Sequence, residues 1–312
     1  QNLLQYKKTY GETEIDPEIA ELMQYSALNR AIQYTILLKA AQTHKLKVSK
    51  AELVRTLEQV YAQYNLKNKK ALKKFLKENN YPYKLFIQEI KQDILAQNFL
   101  RFLSSQATVT DKDIDNNFTE VNVQHILFEV DPKKGDFENA LAKANTALKE
   151  IQEGSSFDST ATKYSDDIGT KKEAGSLGWI KTGQTVRGFE DVAFSLEKGE
   201  MSQPVKSVYG YHIIKLTDKR NLKRPDDIDY KQLRSEILKK KQEGIVSEYI
   251  QQAINQNGLN INEPSLKAFD AKKKGDFNTA IYAYQALISQ NPSSTVPHYL
   301  LAKVYLMLQE KE

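Results

Sequence analysis

Two short segments interrupt a chain that otherwise reads as helix. VNVQHILF at 121–128 and YGYHIIKL at 209–216 are rich in β-branched and aromatic residues, the pattern of half-buried strands. In the first, Val121, Val123, His125 and Leu127 fall on one face. On either side, apolar residues recur three and four apart. This switch of period is the strongest constraint on the fold. It sets one α+β unit of roughly 100 residues inside a mostly helical protein. Each strand also carries a histidine, His125 and His212, and the 312 residues hold only four. A titratable ring in a core-like strand needs a hydrogen-bonding partner.

The flanks have helical grammar. In 17–44 the apolar set is Ile19, Leu22, Met23, Leu28, Ile32 and Ile36. Ser49 and Glu52 form a capping-box pair, and Leu53, Leu57, Val60, Tyr61 and Tyr64 line the helix that follows. Another helix follows Tyr81-Pro82, with Phe86, Ile90 and Ile94 in register. Thr110 is a predicted N-cap with Asp113 at N3, and Val109 and Ile114 take the staple positions. After the second strand, 226–256 reads as one long helix weakened at Gly244. Its stripe of Leu233, Ile237, Ile245, Val246, Tyr249 and Ile250 needs a partner, and the N-terminal helices are the candidate.

Between the strands, the sequence predicts a helix at 137–152, with Ala140, Ala144, Leu148 and Ile151 inward and Gly154 ending it. A glycine-spaced stretch, AGSLGW, covers 174–179. A short helix at 189–198 carries Phe189, Val192, Ala193 and Leu196. The last 50 or so residues alternate helix and turn, punctuated by Gly275 and Pro292, with Ala268, Ala280 and Ala302 small enough for close helix packing. The pattern resembles a tetratricopeptide repeat pair plus one helix; a plain helical hairpin is the alternative. One pair cannot bury its own face, so it needs further repeats or another part of the protein. The expected divisions are 1–118, 119–219, 220–260 and 261–312.

Composition excludes several classes. There is no cysteine, which rules out thiol catalysis, cysteine-bound zinc and disulfides, and fits an extracytoplasmic life. The net charge of +5, from 45 basic and 40 acidic residues, reads as solvated lysine-rich helix faces and gives no reason to expect nucleic acid. No apolar run approaches the ~18–20 residues of a membrane span. The chain begins at Gln1, so either a signal segment has been removed or the sequence has been trimmed.

Five elements in order carry a family resemblance: VQHILF, KYSDD (163–167), AGSLGW, GFEDVAFSLEKGEMSQPV (188–205) and YGYHIIKLTD. Together they resemble a parvulin-type peptidyl-prolyl cis-trans isomerase across 121–219. The helical flanks resemble the chaperone part of SurA- and PrsA-type foldases. The resemblance implies a multidomain, mostly α protein with a small antiparallel sheet in the α+β domain. It implies catalytic positions at His125, Asp167, Ser207 and His212, with Leu177, Thr185 and Phe189 around a proline ring and Tyr209 at the rim. No cofactor and no metal are expected, because rotation about an amide breaks no bond.

Departures and alternatives stay open at this level. Similar cups usually have Met or Leu where this chain has Thr185, whose hydroxyl must find a partner or stay wet; Val186 is the alternative cup residue. The two histidines also fit a purely structural polar link, and Phe189 fits plain core. Trp179 is read as packing, and His44 and His298 are assigned nothing. Phospho-specific parvulins carry an arginine-rich loop after the first strand. Here Lys133 and Lys134 are matched by acids, so no phosphate requirement is expected. The expected partners are unfolded clients and a protein partner at the C-terminal repeat, in the periplasm or cell envelope. A non-catalytic holdase and a repeat-mediated adaptor are the competing functions.

Overall fold

The computed structural model describes residues 16–130, 136–258 and 261–309. Lys133 and Lys134 lie outside these residues. The chain forms two compact units, one of residues 37–258 and one combining 1–36 with 259–312.

The larger unit begins with helices. The helix α1 (Pro17–Thr43) contributes its last residues, followed by α2 (Lys50–Gln63), α3 (Lys69–Glu78), α4 (Tyr83–Ser104) and α5 (Asp111–Asn117). Both predicted capping boxes form. The Glu52 amide donates to Ser49 Oγ at 3.2 Å while the Ser49 amide donates back to Glu52. Thr110 and Asp113 repeat the pattern at the head of α5. Phe99, fully buried on α4, packs with Leu37, Ala41, Ala96 and Leu103.

The covering partner is α10 (Tyr230–Asn257), whose Ile245, Val246 and Tyr249 pack on that cluster. The Tyr249 and Phe99 ring centroids are 5.2 Å apart. The helix runs unbroken through Gly244, as the one long helix expected. A glycine there costs roughly 0.5–1 kcal/mol against alanine, less than the apolar anchors around it supply by burial at about 25 cal/mol per Å². Arg234 and Lys241 of α10 also pair with Asp111 and Asp113 of α5.

Between α5 and α10 lies the α+β part, with β1 (Thr119–Glu129), α6 (Phe137–Gln152), α7 (Phe157–Tyr164), α8 (Ile168–Lys171), β2 (Ser176–Ile180), α9 (Arg187–Ala193), β3 (Val205–Lys206) and β4 (Gly210–Asn221). The expected helix at 189–198 is shorter and starts earlier, because Phe194 caps it and the chain turns at Ser195. The sheet is antiparallel in the order β2-β1-β4-β3. Both faces of its central pair are covered. Ile126, Phe128 and Ile213 pack beneath Ala140, Ala144 and Leu148 of α6 and Phe157 of α7. Val121, Val123, Ile214 and Leu216 pack against Phe189 and Ala193 of α9.

In the smaller unit, residues 17–36 of α1 join α11 (Pro264–Lys273), α12 (Phe277–Gln290) and α13 (Thr295–Gln309). Ala268 and Ala280 are fully buried as expected. Ala302 is exposed, because Leu300 and Val304 are the α13 residues that face the core; Ala271 and Ala283 take the close-packing role instead. The face that a lone pair leaves open is met by α1. Tyr25 packs tilted against Phe269, with ring centroids 4.8 Å apart, and donates its hydroxyl to Asp270 at 2.7 Å. Glu21 accepts from Tyr284 and pairs with Lys272 at 2.8 Å. Burial with the Asp270 bond pushes the Tyr25 phenol up to about 12, and burial with Glu21 pushes Tyr284 up as well.

Candidate active site

The register of β1 and β4 brings the two histidines together. His125 sits opposite Ile214 and Leu127 opposite His212, so the rings are diagonal neighbours on one face. Their Nδ1 atoms lie 3.3 Å apart. Two glycines fix the backbone here. Gly175 has φ +77 and Gly210 φ +142, and a Cβ on either would stand 2.0 Å from a β1 carbonyl oxygen, of His125 and Phe128 respectively.

Each remaining predicted residue is delivered by local chemistry. β2 pairs with β1 as far as Gln124 and the His125 amide donates to the Gly175 carbonyl, which leaves the outer edge of β1 open beyond His125. The KYSDD stretch closes that edge. The Leu127 amide donates to Ser165 Oγ, the Glu129 amide to Asp166 Oδ2, and the Asp166 amide to the Leu127 carbonyl. This zipper presents Asp167, which caps α8 by accepting from the Gly169 amide and holds its other oxygen 2.8 Å from His125 Nε2. At the other end, Ser207 stands in the turn between β3 and β4, with Oγ 2.7 Å from His212 Nε2. The Tyr209 amide donates to that oxygen at 3.0 Å.

Donor and acceptor roles follow in one direction. A carboxylate only accepts, so His125 carries its proton on Nε2 and leaves Nδ1 bare. His212 Nδ1–H then donates to His125, and His212 Nε2 accepts from the Ser207 hydroxyl. The chain runs Ser207, His212, His125, Asp167 with every atom satisfied. Thr170, which the sequence reading passed over, donates to Asp167 at 2.6 Å and stands 3.2 Å from His125 Nε2. Its signal was the spacing of three from Asp167 at a helix cap.

The electrostatics agree. Burial pushes His212 down to about 3, with His125 adding to the fall and Asp167 opposing it. Burial also lowers His125, against the pull of Asp167. Both rings are therefore neutral at neutral pH. Burial works to raise Asp167, but bonds from Thr170, His125 and Gly169 outweigh it and keep the carboxyl below its ordinary value. The site is one ionised carboxylate at the end of a neutral polar chain.

Above the rings lies a cup of about 480 Å³. Leu177, Thr185, Phe189 and Tyr209 all line it, as do His125, His212 and Asp167. Ser207 does not; it stands behind His212. Phe189 is 2% exposed and meets both imidazoles edge-on, with centroids 5.6 and 5.3 Å away. It is core and cup wall at once. Thr185 and Val186 both face the cavity, and Thr185 Oγ1 is buried with no hydrogen-bond partner. Trp179 does not pack inward. It is 37% exposed on the edge strand, under the Arg220 guanidinium at 4.1 Å. The wall that sequence reasoning missed comes from α10. Gly244, Ser247 and Glu248 line the cup, and Glu248 accepts from the Arg187 amide at 2.8 Å. Nothing in the local pattern could show that residues so far beyond β4 return to the site.

An apolar, partly closed cup above satisfied neutral groups suits a reaction that moves no proton. It can grip a ring, dry an amide and set one negative charge beside it.

Comparison with known proteins gives the same class. Residues 125–218 match the family described as PPIC-type PPIASE domain, and residues 1–100 the family described as SurA-like N-terminal domain. Foldase protein PrsA 3 of Bacillus cereus is 32% identical over 249 residues, covering 78% of each chain. Foldase protein PrsA 3 of Bacillus anthracis is 30% identical over 267 residues, 85% of each chain. Chaperone SurA of Chromohalobacter salexigens is 41% identical over 123 residues, 39% of this chain and 28% of that protein.

Proposed function

The chain belongs to the PrsA foldase family, and on that premise we propose how its residues divide the work of a peptidyl-prolyl isomerase that is also a chaperone. The observation that carries the assignment is the satisfied chain from Ser207 through His212 and His125 to Asp167 beneath a cup roomy enough for a proline ring.

The Xaa-Pro bond resists rotation because of amide resonance, with a barrier of roughly 18–20 kcal/mol. Resonance puts negative charge on the carbonyl oxygen, and rotation takes it away. Asp167, ionised at neutral pH, opposes that charge in the planar state and is relieved in the twisted one. Phe189, Leu177 and the Thr185 methyl hold the proline ring, and Tyr209 covers the rim. His125 and His212 hold Asp167 and the Ser207 turn in place and act as neither acid nor base. A non-catalytic holdase is not favoured.

The client chain is unfolded polypeptide, held by the helices before 119 and after 219. Exposed Leu85, Leu100 and Phe102 on α4 support that role. The helices of 261–312 follow a tetratricopeptide-like pattern, and we assign them a protein partner. The cup needs no phosphate: its charged lining is Asp167 and Glu248 with Arg187, and Arg187 is paired with Asp191. The absence of cysteine supports work outside the cytoplasm, in the periplasm or cell envelope.

A protease-coupled assay on a Xaa-Pro tetrapeptide tests the assignment. Wild type accelerates the exchange, and Asp167→Asn, which keeps shape and removes charge, lowers kcat/KM by about tenfold, or ~1.4 kcal/mol of barrier. An Asp167→Asn variant as active as wild type contradicts the role given to the carboxylate.

A further inference from the structure

Gly244 lacks the usual reasons for a glycine. It stands within a 28-residue helix, its φ is not positive, and a Cβ built on it meets no atom within 4 Å. Glycine inside a helix is unfavourable against alanine because it orders the freest backbone for no packing return. What its missing side chain does is visible in the cavities on either side.

A second cavity of about 580 Å³ lies between α5, α9 and α10, within the size range of ligand sites. It shares Gly183, Gln184, Thr185, Arg187, Gly244 and Ser247 with the proline cup. The two spaces meet along the turn before α9 on one side and Gly244 on the other. That junction is held fixed. Glu248 accepts from the Arg187 amide, and Glu190 accepts from the Gly183 amide. Thr185 Oγ1, buried and without a partner, stands at the same place.

We propose that Gly244 is a specificity-determining residue, its missing side chain joining the proline cup to a second cavity that holds the client chain beside the proline. This rests on the isomerase reading. The lining fits an extended peptide. Asn116, Asn117, Gln184 and Ser247 offer neutral donors and acceptors for main-chain groups, and the charged lining nearly cancels, with Asp113, Glu190, Asp191 and Glu243 against Arg187, Lys240 and Lys241. The selected substrate is therefore an Xaa-Pro bond within a longer unfolded strand, in preference to the same bond in a short peptide.

The test compares a fluorescent Xaa-Pro tetrapeptide with versions extended by four residues on the N-terminal or the C-terminal side. Binding is read by anisotropy and isomerisation in parallel. In wild type, one of the extensions tightens binding about tenfold, the worth of one or two net hydrogen bonds. In Gly244→Leu that ratio falls to about one, while Gly244→Ala, with only a Cβ, keeps most of it. Asn117→Trp fills the second cavity from the opposite wall and gives the same loss, so a folding defect in one variant does not decide the matter. Circular dichroism confirms that each variant is folded. Equal affinity for short and extended peptides in wild type overturns the proposal, as does a tenfold ratio that survives in both filled variants. A wild type that binds extended peptides tightly but isomerises none of them overturns the isomerase reading instead.

Discussion

Two regions of this molecule bury polar side chains to nearly the same depth and use them differently. His125 and His212 are 5% and 4% exposed beneath the cup, and Glu21 is 4% exposed in the smaller unit. Around Glu21 the groups cancel in charge: Lys272 pairs with it, the Tyr284 hydroxyl donates to it, and Tyr25 binds Asp270 beside them. None of these residues lines either cavity described above. Beneath the cup the buried rings are neutral, each nitrogen has a partner, and the chain ends in a carboxylate open to an apolar space. Buried polarity that closes on itself fixes a helix onto its neighbours. Buried polarity that ends at an empty cavity prepares a surface for something that is not part of the chain.

The largest effect that separates the two belongs to the closed cluster. Glu21→Ala leaves the Lys272 charge buried alone, and about 3–5 kcal/mol is expected to be lost from the helical unit. Urea unfolding followed by circular dichroism reads it, while isomerisation of a tetrapeptide is unchanged. A loss under ~1 kcal/mol would erase the contrast.

Acid is expected to act next most strongly, and on the cup. Above pH ~6.5 the histidines are neutral in the folded and unfolded states alike, so their contribution is complete. As pH falls below that, the unfolded chain takes up protons that the folded His212, at about 3, does not. Stability therefore falls with pH at about 1.4 kcal/mol per unit from this ring alone. The depressed His125 adds in the same direction. Thermal melts from pH 7 to 4 check this, and a flat profile in that window would mean the rings are not buried neutral.

Smaller still is Phe189→Leu, which keeps much of the volume and is expected to cost under ~1.5 kcal/mol of stability. The cup nevertheless loses the ring edge that faces both imidazoles, and kcat/KM is expected to drop about tenfold. A variant with lost stability and intact activity would make Phe189 core and nothing more. The smallest effect is a gain. Thr185→Val removes an unpartnered buried hydroxyl and is expected to stabilise by about 1 kcal/mol.

Sequence made the strands and their histidines legible, because period and register are local properties. The capping boxes at Ser49 and Thr110 were legible for the same reason. Asp167 and Ser207 were recognisable only by family resemblance, since a loop carboxylate and a turn hydroxyl carry no direction of their own. The α10 wall was hidden. Helical period shows that Ile245 and Tyr249 need a partner, but not that Gly244 and Glu248, on another side of the same helix, meet a cup built far upstream. Ala302 misled because a small residue reads alike on a packed face and an open one.

The central claim is that the cup stands on two neutral imidazoles locked in one tautomer each. Nitrogen-15 NMR of the histidine rings tests this most directly, at pH 7 and again near pH 5. The account predicts that at pH 7 His125 carries its proton on Nε2 and His212 on Nδ1, and that His212 is unchanged near pH 5. A His212 ring protonated at both nitrogens near pH 5, or a reversed tautomer at either histidine at pH 7, would contradict it.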